Sequence, residues 1–125
     1  MHLTKAEEQV MKYLWNLEKA YLKNILDEFP DPKPATTTIA TLLKRLIDKR
    51  FVGFDQHGSN REYFAIVKKT DYFSKQVNII IKDYFNNSAS QFASFFTNET
   101  NLNLSDLEEL KKLIGQKIKL QKKSN

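Results

Sequence analysis

The sequence of 125 residues has no cysteine and only three glycines. Without cysteine the chain has no disulfides, thiolate zinc sites, CxxC redox motifs or cysteine nucleophiles, and it fits a reducing compartment. With so few glycines it also has no GxGxxG or GxxxxGK[ST] loop to hold a nucleotide phosphate. Cysteine-based redox chemistry and these nucleotide-binding loops are therefore excluded.

Long hydrophobic runs are also missing. Runs such as Ile79-Ile80-Ile81 fall far short of the roughly 20 apolar residues that a membrane span needs. The opening Met1-His2-Leu3-Thr4 does not begin a signal peptide, so we expect a cytoplasmic protein. Hydrophobic residues still make up 41% of the chain, which is enough for a folded domain.

Residues able to perform catalysis are scarce. The two histidines, His2 and His57, stand at a terminus and in a predicted turn, and no acid pair or Ser/His/Asp set is discernible. A metal-sensing protein would need several ligands close together, which two remote histidines do not supply. The sequence thus predicts no enzyme, no catalytic residue, no metal site, no cofactor and no small-molecule substrate.

The net charge of +5 is unevenly distributed. Residues 1–32 carry a net −2, residues 33–69 a net +5, residues 70–110 a net −4, and residues 111–125 a net +6. Two basic regions separated by an acidic one suggest defined surfaces for a polyanion, although ordinary solvated faces give the same pattern. In the lysine-rich tail we weigh nonspecific attraction to DNA against a frayed, solvated terminus and favour the latter.

Three helices are predicted before residue 51. Thr4 and Glu7 form an S/T-x-x-E capping box, and an apolar stripe that includes Trp15 as a core residue follows it. A short helix follows from Tyr21 to Phe29, and three prolines in residues 30–34 then form a connector. The third helix runs from Ala35 to Arg50, with Thr36 able to serve as its N-cap.

The third helix has one apolar side and one side suited to DNA. Its polar side carries short hydroxyl groups and cations that can approach bases and phosphates: Thr37, Thr38, Thr41, Lys44 and Arg45. Two runs rich in aromatic and branched residues follow, around a turn at residues 56–60, and predict a β-hairpin. Helix, helix, helix, hairpin is the order of a winged helix-turn-helix, in which the third helix enters the major groove. His57, Ser59 and Arg61 on the hairpin are candidate phosphate contacts.

The last 55 residues predict helices with apolar surface that so short a chain cannot easily bury internally. Self-association is the economical solution, the alternative being a bundle packed back on the N-terminal part. The candidate dimerisation residues are Phe73, Val77, Ile80, Ile81, Tyr84, Phe92, Phe95, Phe96, Leu107 and Leu110. The predicted fold is therefore mainly α with a small β-hairpin: a winged helix DNA-binding domain over residues 1–69 and a helical dimerisation domain with a basic tail over residues 70–125.

Several motifs along the chain match the patterns of one known family. Residues 3–15 fit its opening pattern L-T-x-A-E-x-x-V-M-x-x-L-W at every specified position. Residues 38–46 are similar to its recognition-helix pattern T-x-x-T-L-x-x-R-L, and Arg61-Glu62-Tyr63 resembles its wing. Phe85 to Ser88 and Leu104 to Leu113 resemble its C-terminal motifs. Over nearly its whole length the chain therefore resembles the penicillinase-repressor family of β-lactam-resistance regulators.

The resemblance implies a homodimeric repressor that binds double-stranded DNA at an inverted-repeat operator. In the family, a membrane sensor-protease partner relieves repression by triggering cleavage within the dimerisation helices, at a pattern similar to Ala93-Ser94-Phe95-Phe96. Related copper-responsive repressors use a C-terminal cysteine cluster, which this chain lacks. The alternative function is a winged-helix protein-interaction adaptor, which would show an apolar or acidic outer face on residues 36–48.

Overall fold

The computed structural model describes residues 2–124, which form six helices and a three-stranded sheet. The elements in chain order are α1 (Lys5–Leu17), β1 (Lys19–Tyr21), α2 (Leu22–Glu28), α3 (Thr36–Asp48), β2 (Val52–His57), β3 (Asn60–Ala65), α4 (Lys69–Tyr84), α5 (Ala89–Glu99) and α6 (Leu104–Ser124). The chain divides into two compact units, the first ending at Lys75 and the second beginning at Gln76. The fold class predicted from the sequence, mainly helical with a winged helix-turn-helix, is confirmed.

The first unit begins with the predicted capping box. The Thr4 hydroxyl accepts from the Glu7 backbone N–H at 3.2 Å, and Glu7 Oε1 accepts from the Thr4 backbone N–H at 2.8 Å. Both bonds satisfy amides that the first turn of a helix leaves unpaired. The apolar stripe of α1 then packs into a core with α2, α3 and the sheet, built around Val10, Met11, Leu14, Ile25, Ile39, Leu43 and Leu46.

The wing is an antiparallel hairpin of β2 and β3 in which Phe54 pairs with Tyr63, Asp55 with Glu62 and His57 with Asn60. The turn is shorter than the sequence predicted, because Gln56, His57 and Asn60 belong to the strands and only residues 58 and 59 remain as the turn. Gly58 has φ of +63°, a conformation that glycine adopts without steric cost.

Two local predictions were wrong or incomplete. The N-cap of α3 is Ala35 and not Thr36, because the Ala35 carbonyl accepts from the backbone N–H groups of Thr38 at 3.0 Å and Ile39 at 3.3 Å. The sequence also gave no sign of β1, whose three residues are too few to show a period. This strand pairs with β3 and buries Ala20 against the core, so the sheet has the order β1-β3-β2.

In the second unit, the end of α4 packs against α5 through aromatic rings. Phe85 lies 5.6 Å from Phe92 and 5.2 Å from Phe95 between ring centroids, and Phe92 stacks on Phe96 at 6.2 Å. The backbone turns sharply before α5 at Asn86 and Asn87, both at positive φ. Asparagine tolerates this conformation better than most residues, which explains the residue type at the turn.

The basic tail is helical and not frayed, which corrects the sequence-based expectation. Helix α6 continues to Ser124, and its lysines are exposed. Lysine, leucine and glutamine are good helix formers, and cations in the last turn interact favourably with the helix dipole. Among residues 2–124, no helix is long and apolar enough to cross a membrane.

Candidate nucleic-acid interface

The outer face of α3 presents the residues that the sequence predicted for the DNA groove. Thr37, Thr38, Thr41, Lys44 and Arg45 are all exposed. The opposite face is anchored in the core by Ile39, Leu42, Leu43 and Leu46. Because the anchoring face is rigidly packed, it fixes the direction in which the polar face points.

The polar face of α3 is cationic and open to a ligand. Within residues 2–124, neither Lys44 nor Arg45 forms an ion pair, so their donors are available to an anion. The Thr41 hydroxyl donates to the Thr37 carbonyl at 2.9 Å, which leaves its methyl group for apolar contact. An apolar or acidic face, as expected of an adaptor, is not what this helix presents.

The wing carries its own cation. The Arg61 guanidinium lies over the Phe54 ring at 4.1 Å from its centroid, a cation–π contact that holds the side chain along the hairpin. His57, Ser59 and Arg61 are all exposed, as their proposed role in contacting phosphate requires. His57 is however engaged on the other face of the hairpin, where Nε2 lies 3.3 Å from Glu62 Oε1.

A groove between the start of α2 and the wing adds residues that sequence reasoning did not single out. Lys23 and Asn24 of α2 line it together with Ser59, Asn60 and Arg61 of the wing. The Asn24 carboxamide oxygen also accepts from the Tyr21 backbone N–H at 2.9 Å, which fixes the start of α2. The pairing of β1 with β3 brings α2 beside the wing, and only a prediction of β1 would have indicated this groove.

The outer face of the wing holds three potential metal ligands. Each of these residues offers one donor atom, and the three atoms lie within 4.8 Å of one another: they belong to Asp55, His57 and Glu62. Asp55 also forms a long ion pair with Lys19 of β1, at 3.8 Å. Sequence reasoning judged the histidines isolated because the strand register, which pairs Asp55 with Glu62, was not available from composition or periodicity.

A buried ion pair fixes α1 to the end of α3. Glu7 Oε1 accepts from Lys49 Nζ at 2.7 Å, and the Glu7 side chain is 1% exposed. Burial alone would raise the pKa of Glu7, but the hydrogen bonds from Lys49 and from Thr4 outweigh it and hold that pKa below its usual range.

A tyrosine and a tryptophan fix the first turn of α4 to α1. The buried Tyr72 hydroxyl donates to Glu8 Oε2 at 2.5 Å, and burial together with this bond raises the pKa of Tyr72 to about 12. Trp15 Nε1 donates to the Val67 carbonyl at 2.9 Å. The Trp15 ring, predicted as core, is half-buried and lies 5.9 Å from the Phe73 ring between centroids.

Most of the residues predicted for dimerisation are exposed apolar side chains of helices α4 to α6. Seven of the ten are exposed in the described chain, Tyr84 most of all at 79%: Phe73, Val77, Ile80, Tyr84, Phe95, Phe96 and Leu107. The other three, Ile81, Phe92 and Leu110, are half-buried. Large apolar side chains exposed in this number favour an interaction site.

Comparison with known proteins identifies relatives along nearly the whole chain. The sequence profile of the family described as penicillinase repressor matches residues 3–116. The methicillin resistance regulatory protein MecI of Staphylococcus aureus (strain N315) is 25% identical over 116 residues, covering 92% of this chain and 94% of the relative. MecI of Mammaliicoccus sciuri is 24% identical with the same coverage. An uncharacterised 16.5 kDa protein of Latilactobacillus sakei is 23% identical, covering 92% of this chain and 80% of that protein.

Two solved structures are also similar. A CopR repressor structure is 26% identical and covers 54% of this chain and 100% of that chain, with a TM-score of 0.46. BpsR of Bordetella bronchiseptica, solved in a study of how 6-hydroxynicotinic acid regulates its DNA binding, is 14% identical. It covers 94% of this chain and 76% of that chain, with a TM-score of 0.47.

Proposed function

The chain belongs to the penicillinase repressor family, a family of DNA-binding transcriptional repressors and not of enzymes, and we propose that it represses transcription as a homodimer on an inverted-repeat operator. The observation that carries the proposal is the outer face of α3, which joins hydroxyl groups to two unpaired cations on a rigidly packed helix. Groups of this type, presented on a helix, match base edges in the major groove of DNA.

In this proposal α3 reads the sequence of the operator. Arg45 or Lys44 donates to guanine O6 and N7, and the methyl groups of Thr37, Thr38 and Thr41 contact thymine methyls. The wing supplies sequence-independent affinity. Its phosphate contacts are Arg61, His57 and Ser59, together with Lys23 of α2, which lines the same groove as Arg61. These contacts set the position of the protein on the duplex.

The homodimer is supported by the exposed apolar side chains of α4 to α6. A symmetric pair buries one such surface against its own copy, and a twofold dimer matches the two halves of an inverted repeat. Residues 1–69 then act as the DNA-binding domain and residues 70–125 as the dimerisation domain.

The division of roles between α3 and the wing can be tested with two arginine variants. We expect Arg45→Ala to lose about 1–3 kcal/mol of discrimination between operator and random duplex, because it removes a base contact. Arg61→Ala should weaken both duplexes alike and reduce the slope of log K against log salt by about 1. Fluorescence anisotropy with labelled duplexes, across a salt series, measures both quantities.

Lys12→Ala is the matched control, because it removes the same charge from an exposed position of α1 outside the proposed interface. It should change neither discrimination nor salt slope appreciably. Equal losses for Arg45→Ala and Arg61→Ala on operator and random DNA would contradict the assignment of α3 to base reading and of the wing to phosphates.

Release of the operator by proteolysis completes the proposal, with a membrane sensor-protease as the partner that triggers it. Ser94 and Phe95 lie inside α5, where the backbone is helical, so a protease requires local opening of this helix before it cuts.

A recognition sequence for a site-specific protease, placed in the loop at residues 100–103 of the full chain, tests whether cleavage between the C-terminal helices releases the operator. Cleavage there should abolish tight binding to the inverted repeat, whereas the uncut variant keeps it.

A further inference from the structure

We propose that the outer face of the wing binds a divalent transition-metal ion of the Zn²⁺ class through Asp55, His57 and Glu62. Asp55 and His57 are two residues apart on β2 and therefore share one face of the sheet. Glu62 lies directly opposite Asp55 on β3. The hairpin thus brings together one imidazole and two carboxylates, whose donor atoms lie within 4.8 Å of one another.

The ligand types and distances fit zinc. Three ligands with bonds of about 2.1 Å in a tetrahedron stand about 3.4 Å apart, and the His57 Nε2 to Glu62 Oε1 distance is already 3.3 Å. Asp55 has to approach by at most about 1.4 Å, the difference between the 4.8 Å limit and the tetrahedral spacing, and rotation of its exposed side chain allows this. An imidazole favours zinc and its neighbours over Mg²⁺ or Ca²⁺, which prefer oxygen ligands alone. Three protein ligands leave a fourth position open.

The charges of the two ligand carboxylates favour a cation between them. Residues 33–69 contain three acids, and two of them, Asp55 and Glu62, face each other across the hairpin. Like charges directly opposite on neighbouring strands are destabilising. The compensating Lys19 is 3.8 Å from Asp55, and both side chains are more than half exposed, so this pair contributes little and is easily displaced.

A bound ion changes how the wing interacts with DNA, a consequence that depends on the function proposed above. Without the ion, the two carboxylates oppose the approach of a phosphate to His57 on the same face of the hairpin, and with the ion bound the metal replaces His57 as the phosphate contact. A divalent cation cancels their charge and offers its open position to a phosphate oxygen. DNA affinity should therefore rise with metal, most strongly at low salt.

Titration of the untagged full-length protein with Zn²⁺ alone, followed by isothermal calorimetry, tests the site without DNA. We expect one ion per chain, and at least about tenfold weaker binding for Glu62→Gln and for Asp55→Asn, since each removes a direct ligand. His2→Gln is the matched control, because it removes the chain's other histidine and should leave zinc affinity unchanged. Far-UV circular dichroism of each variant without zinc verifies that the fold is retained.

The effect of zinc on DNA binding is measured in a separate experiment. Zinc should tighten duplex binding by the wild type and not by Glu62→Gln, and a chelator should reverse the gain. If the wild type binds no zinc, the metal site is overturned whatever the DNA result. The same holds if Glu62→Gln and Asp55→Asn bind zinc as tightly as the wild type. Zinc binding that needs these ligands, in a protein that binds no duplex with or without zinc, supports the site and contradicts the proposed function instead.

Discussion

Glu7 shows how one side chain serves two structural purposes. Its Oε1 closes the capping box at the start of α1 and also accepts from Lys49 at the end of α3. The first purpose could be predicted from the sequence, because a capping box lies within four residues. The second could not, since the two partners are 42 residues apart and meet only when the helices pack.

Replacing Glu7 tests how much the ion pair between Glu7 and Lys49 stabilises the fold. We expect Glu7→Gln to lower the free energy of unfolding by about 2 kcal/mol at pH 7, because a buried charge-assisted hydrogen bond is lost. The pKa of Glu7 is lowered in the folded state, so its ionised form stabilises the protein at neutral pH. That stabilisation disappears as the pH falls below the usual carboxyl range and through the lowered folded pKa.

Urea unfolding of wild type and Glu7→Gln at a series of pH values between neutrality and acid measures this difference, with Glu28→Gln as a control at an exposed position. The two stability curves should converge in acid. A constant gap between them at every pH would show that the charge of Glu7 is not what stabilises the fold.

At the scale of elements, periodicity predicted most helices well and contacts between distant segments poorly. The stripe of Ile39, Leu42, Leu43 and Leu46 correctly separated the buried face of α3 from the exposed face that carries Thr41 and Arg45. Strand β1 was missed because it is defined by its pairing with β3 and not by its own three residues. The cluster of Asp55, His57 and Glu62 was missed for the same reason, since it depends on the register of the hairpin.

The first turn of α4 depends on Tyr72. We expect Tyr72→Phe to lower the free energy of unfolding by about 1–2 kcal/mol, because the ring packing is kept and only the bond to Glu8 is lost. Tyr21→Phe, at an exposed side chain outside the proposed dimer surface, is the matched control and should have almost no effect. Urea unfolding at pH 7 compares the two variants.

The raised pKa of Tyr72 adds a test in alkali. The folded state keeps its proton up to about pH 12, whereas an unfolded tyrosine loses it near 10, so stability should fall as the pH rises between these values. Tyr72→Phe should lack this contribution. An identical alkaline profile for the variant and the wild type would mean that the Tyr72 hydroxyl does not stabilise the folded protein.

At the scale of the whole molecule, the charge pattern and the exposed apolar surface occupy different parts of the chain. The basic block at residues 33–69 contains α3 and the wing, and the acidic block at residues 70–110 contains α4, α5 and the beginning of α6. This separation suits a protein that binds DNA with one part and its own copy with the other.

The proposed dimer predicts a sharp contrast between two neighbouring positions of α4. Ile80→Glu places a charge in the exposed apolar surface and should convert dimer to monomer, as measured by light scattering after size exclusion. Affinity for the inverted repeat should fall by about 10² or more. In a dimer, binding of one subunit to its half-site holds the other subunit close to the second half-site, and a monomer lacks this advantage. Asn78→Glu adds the same charge at an exposed polar position and should remain dimeric. A monomeric wild type, or a dimeric Ile80→Glu, would contradict this interface.

The position of Trp15 has a practical consequence, because it is the only tryptophan in the sequence. Its indole donates to the Val67 carbonyl just before α4 and lies beside Tyr72 and Phe73 near the start of that helix. Intrinsic emission excited at the red edge of protein absorbance therefore originates at one known place. A shift of its maximum to longer wavelength reports that the start of α4 has separated from α1, without any label attached to the protein.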